Sequence, residues 1–222
     1  MRVVTFATHD EGYILALRKS CHRNNLELVE LGEGEKWMGF LHKVNVVRKY
    51  LRSIHPDTMV LVVDAYDVII LRPADEILAC FNHLTHGQAS NRVVIGIENQ
   101  NRHLFSWIWL QAQFGSCDVV TISAGNYIGT ADSIDRLYNF IPYEALLSNK
   151  GDDQVFLNQS CTAQYEPFHS MVVVDFHGWL FFNCHGPKAG SGHLRMDNLA
   201  NRQTGVMPCV LHGTAIFAVV CK

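Results

Sequence analysis

The stretch "VLVVDAYDVIIL" at residues 60–71 constrains this chain more than any other. Val60–Val63 is a continuous apolar run and Val68–Leu71 is a second one. Short runs rich in β-branched residues read as strands buried on both faces. Asp64 and Asp67 sit between them, with Tyr66 separating the two carboxylates. Carboxylates in a dry core are costly unless something positive pairs with them. Any fold for this chain must therefore bring a positive group to the end of that strand.

The flanking pattern says what kind of fold that is. Residues 2–7 read as a first strand and residues 26–31 as a second. Between them, residues 10–23 read as a helix, with Asp10 as its cap and Tyr13, Ile14, Leu17 and Cys21 at helical spacing. Residues 40–54 carry helical periodicity through Leu41, Val44, Val47 and Leu51, and Pro56 ends that segment. A third strand at 59–63, a helix at 74–82 and a fourth strand at 92–97 follow. This alternation predicts an α/β class with a largely parallel sheet covered by helices. The second half is less regular. Residues 107–113, 133–140 and 152–160 read as helices, and 171–175 and 208–211 as strands. Val119–Thr121 and Tyr127–Gly129 flank an expected turn at "SAGN". With no repeat, low-complexity segment or linker, residues 1–222 read as a single domain.

Composition removes several function classes. The net charge is −3 and no Lys/Arg run stands out, so a nucleic-acid partner is not expected. No apolar run approaches the roughly 18 residues of a membrane span. The N-terminus "MRVVTFATHDEGY" lacks the length of a signal peptide, so a cytoplasmic location is expected. Seven scattered cysteines, none in a CxxC pair, read as mostly reduced and buried rather than as a zinc site.

Asp64 falls at a strand's carboxyl end, where ligands gather in α/β sheets. With Asp67 it can share a hard divalent cation, Mg²⁺ or Mn²⁺, whose remaining positions suit phosphate oxygens and water. A lone DxxD also fits a simple turn in which Asp67 caps something. Three further features favour a ligand site. His212-Gly213 follows the apolar "PCVL", and an imidazole there can complete the shell of a borderline metal. Asp152 and Asp153 open the helix in "GDDQVF", although acidic residues at a helix start are also ordinary capping. Gly125 and Gly129 bracket Asn126 in "SAGNYIG", where backbone can approach a ligand closely.

Taken in order, "LGEGEKWMG", Lys43, "VVDAYDVII", "ISAGNYIG", "GDDQVF" and "VLHG" make the chain similar to one family. It resembles the glycosyltransferase domain of the procollagen lysyl hydroxylase and procollagen galactosyltransferase group over about residues 1–213. Giant-virus and algal-virus glycosyltransferases are similar in outline, which suggests a viral relative. The resemblance implies a GT-A fold, with a mixed, mostly parallel sheet, and a UDP-sugar donor held through Mn²⁺. It implies Asp64, Asp67 and His212 as metal ligands. Tyr66 would contact the uridine or ribose, and Trp37 would cover the nucleotide or sugar. Lys43 would sit near the diphosphate, while Asp152 and Asp153 would face the sugar or the acceptor. The acceptor hydroxyl would belong to a protein-linked glycan or a glycosylated side chain.

Two departures stand out. The family's "NSGG" is here Ser123-Ala124-Gly125-Asn126, and Thr214 to Phe217 replace the usual Pro and Lys after the His-Gly pair. Lys188, in "HGPKAGSGH", is the substitute expected to face the leaving diphosphate. That segment also offers His185 as a rival third ligand; the run before His212 matches better. An aromatic acceptor platform at "FSWIW" (Trp107, Trp109) competes with core packing, as does Trp179, and Asn99, Asn101 and His103 are candidates for the acceptor side. The alternatives to a transferase are a metal-dependent nucleotidyltransferase and a non-catalytic sugar-nucleotide or glycan-binding relic. "FATHDEGY" lacks the basic, Gly-rich loop that the nucleotidyltransferase would need.

Overall fold

Strands and helices alternate as the periodicity predicts. A computed structural model describes residues 1–98, 104–163, 166–183, 200–201 and 204–213. The first half runs β1 (Arg2–Phe6), α1 (Ile14–Arg23), β2 (Glu27–Leu31), α2 (Phe40–Leu51), β3 (Met59–Val63), β4 (Val68–Ile70), α3 (Ala74–Leu84) and β5 (Val93–Ile97). The second half runs α4 (Leu104–Phe114), β6 (Ile122–Thr130), α5 (Ala131–Leu137), α6 (Tyr143–Ser148), α7 (Asp153–Thr162), α8 (Glu166–Met171), β7 (Val172–Asp175), β8 (Phe181–Asn183) and β9 (Val210–His212).

Six strands form the central sheet in the order β2-β1-β3-β6-β5-β7. β6 lies antiparallel to both neighbours, while the other pairs are parallel. The sheet is thus mixed and mostly parallel. Side chains alternate across β3 with the period of two that a strand imposes. Val60 and Val62 pack with Leu41, Val44, Val47 and Leu51 of α2 on one face. Leu61 and Val63 pack with Ile14, Leu17 and Cys21 of α1 on the other. That two-sided burial is why the strand reads as an unbroken apolar run.

A second sheet, β4-β9-β8, carries the edge of the site. β4 pairs antiparallel with β9, with Val68 opposite His212. β8 pairs parallel with β9, which puts Asn183 opposite His212 on the other side.

Two expectations are corrected. "SAGN" is not a turn but the middle of β6, whose nine residues are all buried. Its backbone partners come partly from side chains of α7. The Asn158 amide bonds both N–H and C=O of Ile122, at 2.9 and 3.0 Å, and Gln154 accepts from the Ala124 N–H at 3.1 Å. These bonds keep the strand extended where small residues alone suggest a turn. The cysteines are not all reduced: Cys117 and Cys161 form a disulfide, with Cα atoms 4.9 Å apart. Cys21, Cys80 and Cys209 are free thiols.

Asp175 ends β7 fully buried, and its carboxylate shapes the turn into β8. It accepts from the N–H groups of Trp179, Leu180 and Phe181 at 3.1, 2.7 and 2.9 Å. Burial raises its pKa while those backbone bonds hold it down. Asp175→Ala strands three donors in a dry turn, so the urea midpoint should fall by an amount equivalent to about 2–4 kcal/mol. A midpoint within ~0.5 kcal/mol of wild type would show that the carboxylate does not hold this turn.

Candidate active site

β3 hands the chain to the site at its carboxyl end. The Asp64 N–H bonds the Gly125 carbonyl at 2.8 Å, extending the β3–β6 ladder by one residue. Asp67 is fixed by the second sheet, where its carbonyl accepts from the Gly213 N–H at 2.8 Å. The β4–β9 register then sets His212 beside it. His212 Nε2 lies 3.6 Å from Asp64 Oδ2 and 3.4 Å from Asp67 Oδ1. One donor atom from each of the three falls within 4.8 Å of the others.

Gly125 is required by this convergence. A Cβ there would lie 2.4 Å from His212 Cε1 and 2.6 Å from Asp64 Oδ2. Two carboxylates and an imidazole, facing one point with a glycine floor, are a donor set that fits Mn²⁺ or Mg²⁺. The amide of Asn126 meets His212 Nδ1 at 3.0 Å and is itself held by Asn183 at 2.7 Å. An imidazole that ligates through Nε2 keeps its proton on Nδ1. Asn126 serves that tautomer when its amide oxygen, rather than its nitrogen, faces the ring.

Lys43 ties this corner to α7. It is buried, with Nζ 3.3 Å from Asp64 Oδ1 and 3.1 Å from Asp153 Oδ2. Burial alone would lower its pKa, but Asp153 and Asp64 outweigh it and the net shift is upward. Burial raises Asp153 to about 6 against the pull of Lys43. Near neutral pH the two form an ion pair. Asp152 caps α7 and accepts from the Gln154 N–H at 2.8 Å. Burial opposes protonation of His212, yet Asp67, Asp64 and Glu98 raise it to about 9.

Two clefts meet here. One, of about 520 Å³, runs from Asp64 and Asp67 past Tyr66 to Trp37, Phe6 and Thr8. The Tyr66 hydroxyl is set by the Thr8 N–H and the His9 carbonyl, at 3.1 and 3.2 Å. Trp37 is 46% exposed, tilted over Phe6 with centroids 5.9 Å apart. The other cleft, of about 360 Å³, is lined by Asp64, Asp67, Glu98, Asp152, Asp153, His212, Lys43 and Trp109. A wider depression of about 760 Å³, between Arg92 and Pro167, has no acidic residue in its lining and lies apart from this chemistry.

The structure thus brings together Asp64, Asp67, His212, Lys43, Gly125, Asn126, Gly213, Asp152 and Asp153, with Trp37 and Tyr66 in the adjoining cleft. The tryptophans separate. Trp109 is 59% exposed and lines the acidic cleft. Trp107 donates to the Val119 carbonyl. Trp179 stacks on His83 at 4.6 Å. Lys188, His185, Asn99, Asn101, His103 and Thr214 to Phe217 lie outside the described residues. Glu98 is the acid that sequence reasoning missed: a single carboxylate after "VVIGI", with no partner at a telling spacing.

Comparison with known proteins gives the geometry a context. A protein of Acanthamoeba polyphaga mimivirus is 27% identical over 228 residues, covering 95% of this chain and 45% of the relative. Procollagen-lysine,2-oxoglutarate 5-dioxygenase 1 of Mus musculus is 26% identical, covering 95% of this chain and 29% of the relative. The chain therefore spans less than half the length of these relatives. Among solved structures, the galactosyltransferase LgtC, in complex with donor and acceptor sugar analogs, superposes with a TM-score of 0.53 at 16% identity. It covers 96% of this chain and 87% of LgtC. A glycosyltransferase involved in glycosylation of the major capsid of PBCV-1 gives a TM-score of 0.50 at 12% identity, covering 95% and 92%. The fold is that of GT-A glycosyltransferases. Residues 1–219 match the profile of the PLOD GT domain, and the chain belongs to that glycosyltransferase family.

Proposed function

We propose that this domain transfers a hexose from a UDP-sugar to a hydroxyl of a protein-linked glycan or glycosylated side chain, with a divalent cation at Asp64, Asp67 and His212. The convergence of those three side chains, across 148 residues of sequence from first to last, carries the reading. A Mn²⁺ or Mg²⁺ ion bound there would offset the negative charge that builds on the departing UDP. Lys43 contributes a fixed positive charge at the same corner, held by Asp153 and Asp64 so that it needs no reorganisation during the reaction. Tyr66 and Trp37 line the cleft on the nucleoside side and offer aromatic faces to the uracil or ribose. Gly125 and Gly213 keep backbone close to the diphosphate, and Lys188 is proposed to reach the leaving group.

Asp152 and Asp153 serve the acceptor side. Both line the 360 Å³ cleft that Asp64 and His212 enter. Asp153, raised to about 6, can accept a proton from an attacking hydroxyl near neutral pH. Trp109 forms the exposed wall of that cleft, where an indole face suits the C–H surface of a pyranose. A domain that binds the nucleotide sugar without turnover would show the same ligand binding and no donor hydrolysis.

Four measurements test this. A screen of UDP-sugars by thermal shift should give stabilisation that requires Mn²⁺, because a ligand that binds only the folded state raises the melting temperature. Asp64→Asn should remove that Mn²⁺-dependent shift and cut donor hydrolysis by at least ~100-fold; retention of both would end the metal assignment. The His212 proton competes with the ion for Nε2, and its folded-state pKa of about 9 lies above the usual imidazole value. Apparent Mn²⁺ affinity should therefore rise about tenfold per pH unit between pH ~6 and ~8, then level above about 9. A flat profile would remove His212 from the ligand set. Trp109→Ala should raise the acceptor KM by roughly tenfold, equivalent to about 1.4 kcal/mol of lost contact, and leave donor hydrolysis unchanged. An unchanged acceptor KM would return Trp109 to the surface.

A further inference from the structure

Cys209 immediately precedes β9, three residues before His212. It is buried, and backbone bonds fix it from both sides: its carbonyl accepts from the Leu71 N–H at 2.8 Å and its N–H donates to the Leu180 carbonyl at 3.1 Å. Cys80 projects from α3, which is anchored by its buried Ile77 and Phe81. The two sulfurs are 3.6 Å apart, and the Cys209 thiol donates to Cys80. That contact brings together residues 129 positions apart in the chain.

We propose that Cys80 and Cys209 form a thiol–disulfide exchange site that takes a low-molecular-weight disulfide and closes into an internal disulfide. The geometry divides the labour. Cys80 is only partly buried, so its sulfur is the one a small disulfide can reach. The hydrogen bond from Cys209 lowers the pKa of the Cys80 thiol, with Arg72 adding to the effect and burial, Asp175 and Glu76 opposing it. A thiolate is the attacking species in such exchange. Cys209, buried and in contact, is placed to resolve the adduct. By contrast Cys21 is isolated, and burial pushes its thiol up to about 12.

The chemistry balances in two steps. The Cys80 thiolate attacks one sulfur of the small disulfide, forming a mixed disulfide and expelling the other sulfur as a thiolate. The Cys209 thiol then gives its proton to the medium and attacks the Cys80 sulfur, expelling the second thiolate. Two protein thiols are oxidised to one disulfide, and the two electrons reduce the small disulfide to two thiols, which carry the two protons. Closing the bond brings the sulfurs from contact to about 2.05 Å. The product fastens α3 to the strand that ends in His212.

The reduced protein, equilibrated with oxidised glutathione, alkylated and digested without reduction, should yield a Cys80–Cys209 linked peptide. Cys209→Ser should instead trap a glutathione adduct on Cys80. The oxidised-minus-reduced difference in melting temperature should exceed that of Cys80→Ser by at least ~3 °C, since Cys80→Ser retains the Cys117–Cys161 bond as a common background. Recovery of both residues in alkylated form after full equilibration would overturn the proposal. So would a stable glutathione adduct on wild-type Cys80, or linkage of Cys80 to Cys184 or Cys221.

Discussion

One buried ammonium holds this site together. Lys43 reaches from α2 between Asp64, at the end of β3, and Asp153, at the start of α7, at 3.3 and 3.1 Å. Asp153 does not tolerate that depth alone, because an unpaired buried charge costs several kcal/mol, whereas Asp64 keeps part of its carboxylate in water. The three elements are far apart in sequence, so the ion pair fixes where the first helix-covered half of the sheet meets α7. Removing Lys43 would leave Asp153 unpaired in low dielectric, which is more damaging than replacing the whole cluster with apolar groups. The arrangement is therefore better explained by what the charges do than by stability.

The second sheet solves a different problem. Asp67 and His212 belong to opposite ends of the chain, yet β4 and β9 pair so that Val68 faces His212 and the Gly213 N–H returns to the Asp67 carbonyl. A one-residue slip in that pairing would turn His212 away from the carboxylates, since strand side chains alternate. Asn126 and Asn183 brace the ring from beneath. Gly125 leaves no room for a side chain, because a Cβ there would overlap His212 and Asp64.

What the sequence revealed follows from how local the causes were. β1 and β3 were legible as short apolar runs buried on both faces, and α1 and α2 because one residue in three to four faces an apolar layer. The Asp64/Asp67 pair was legible because two acids inside an apolar run have few explanations. "SAGN" was misread because the groups that keep it extended, Gln154 and Asn158, lie about thirty residues downstream. The Cys117–Cys161 bond gave no signal because its partners are 44 residues apart with no recognisable spacing. Glu98 was invisible for a related reason: its role depends on which strand end faces which, not on its neighbours. Trp107, Trp109 and Trp179 look alike as residues, and only their surroundings separate a wall of the cleft from a ring bonded to the Val119 carbonyl and one stacked on His83.

Charge then dictates the order in which ligands can enter. Five carboxylates, Asp64, Asp67, Glu98, Asp152 and Asp153, share one cleft with Lys43 and His212. Even with the imidazole protonated, the cleft retains a net charge of about −3. On the proposed reading, a nucleoside diphosphate would bring further negative charge, so a divalent cation would have to bind before it or with it. The cation would displace the His212 proton, and phosphate oxygens would raise its affinity. Each ligand would then prepare the site for the other, and by linkage the coupling would be equal in both directions. If the acceptor enters this cleft as proposed, the same excess of carboxylates would favour neutral, hydroxyl-rich surfaces over anionic ones. A polar, uncharged sugar against Trp109 would satisfy that constraint, and an acidic acceptor would not.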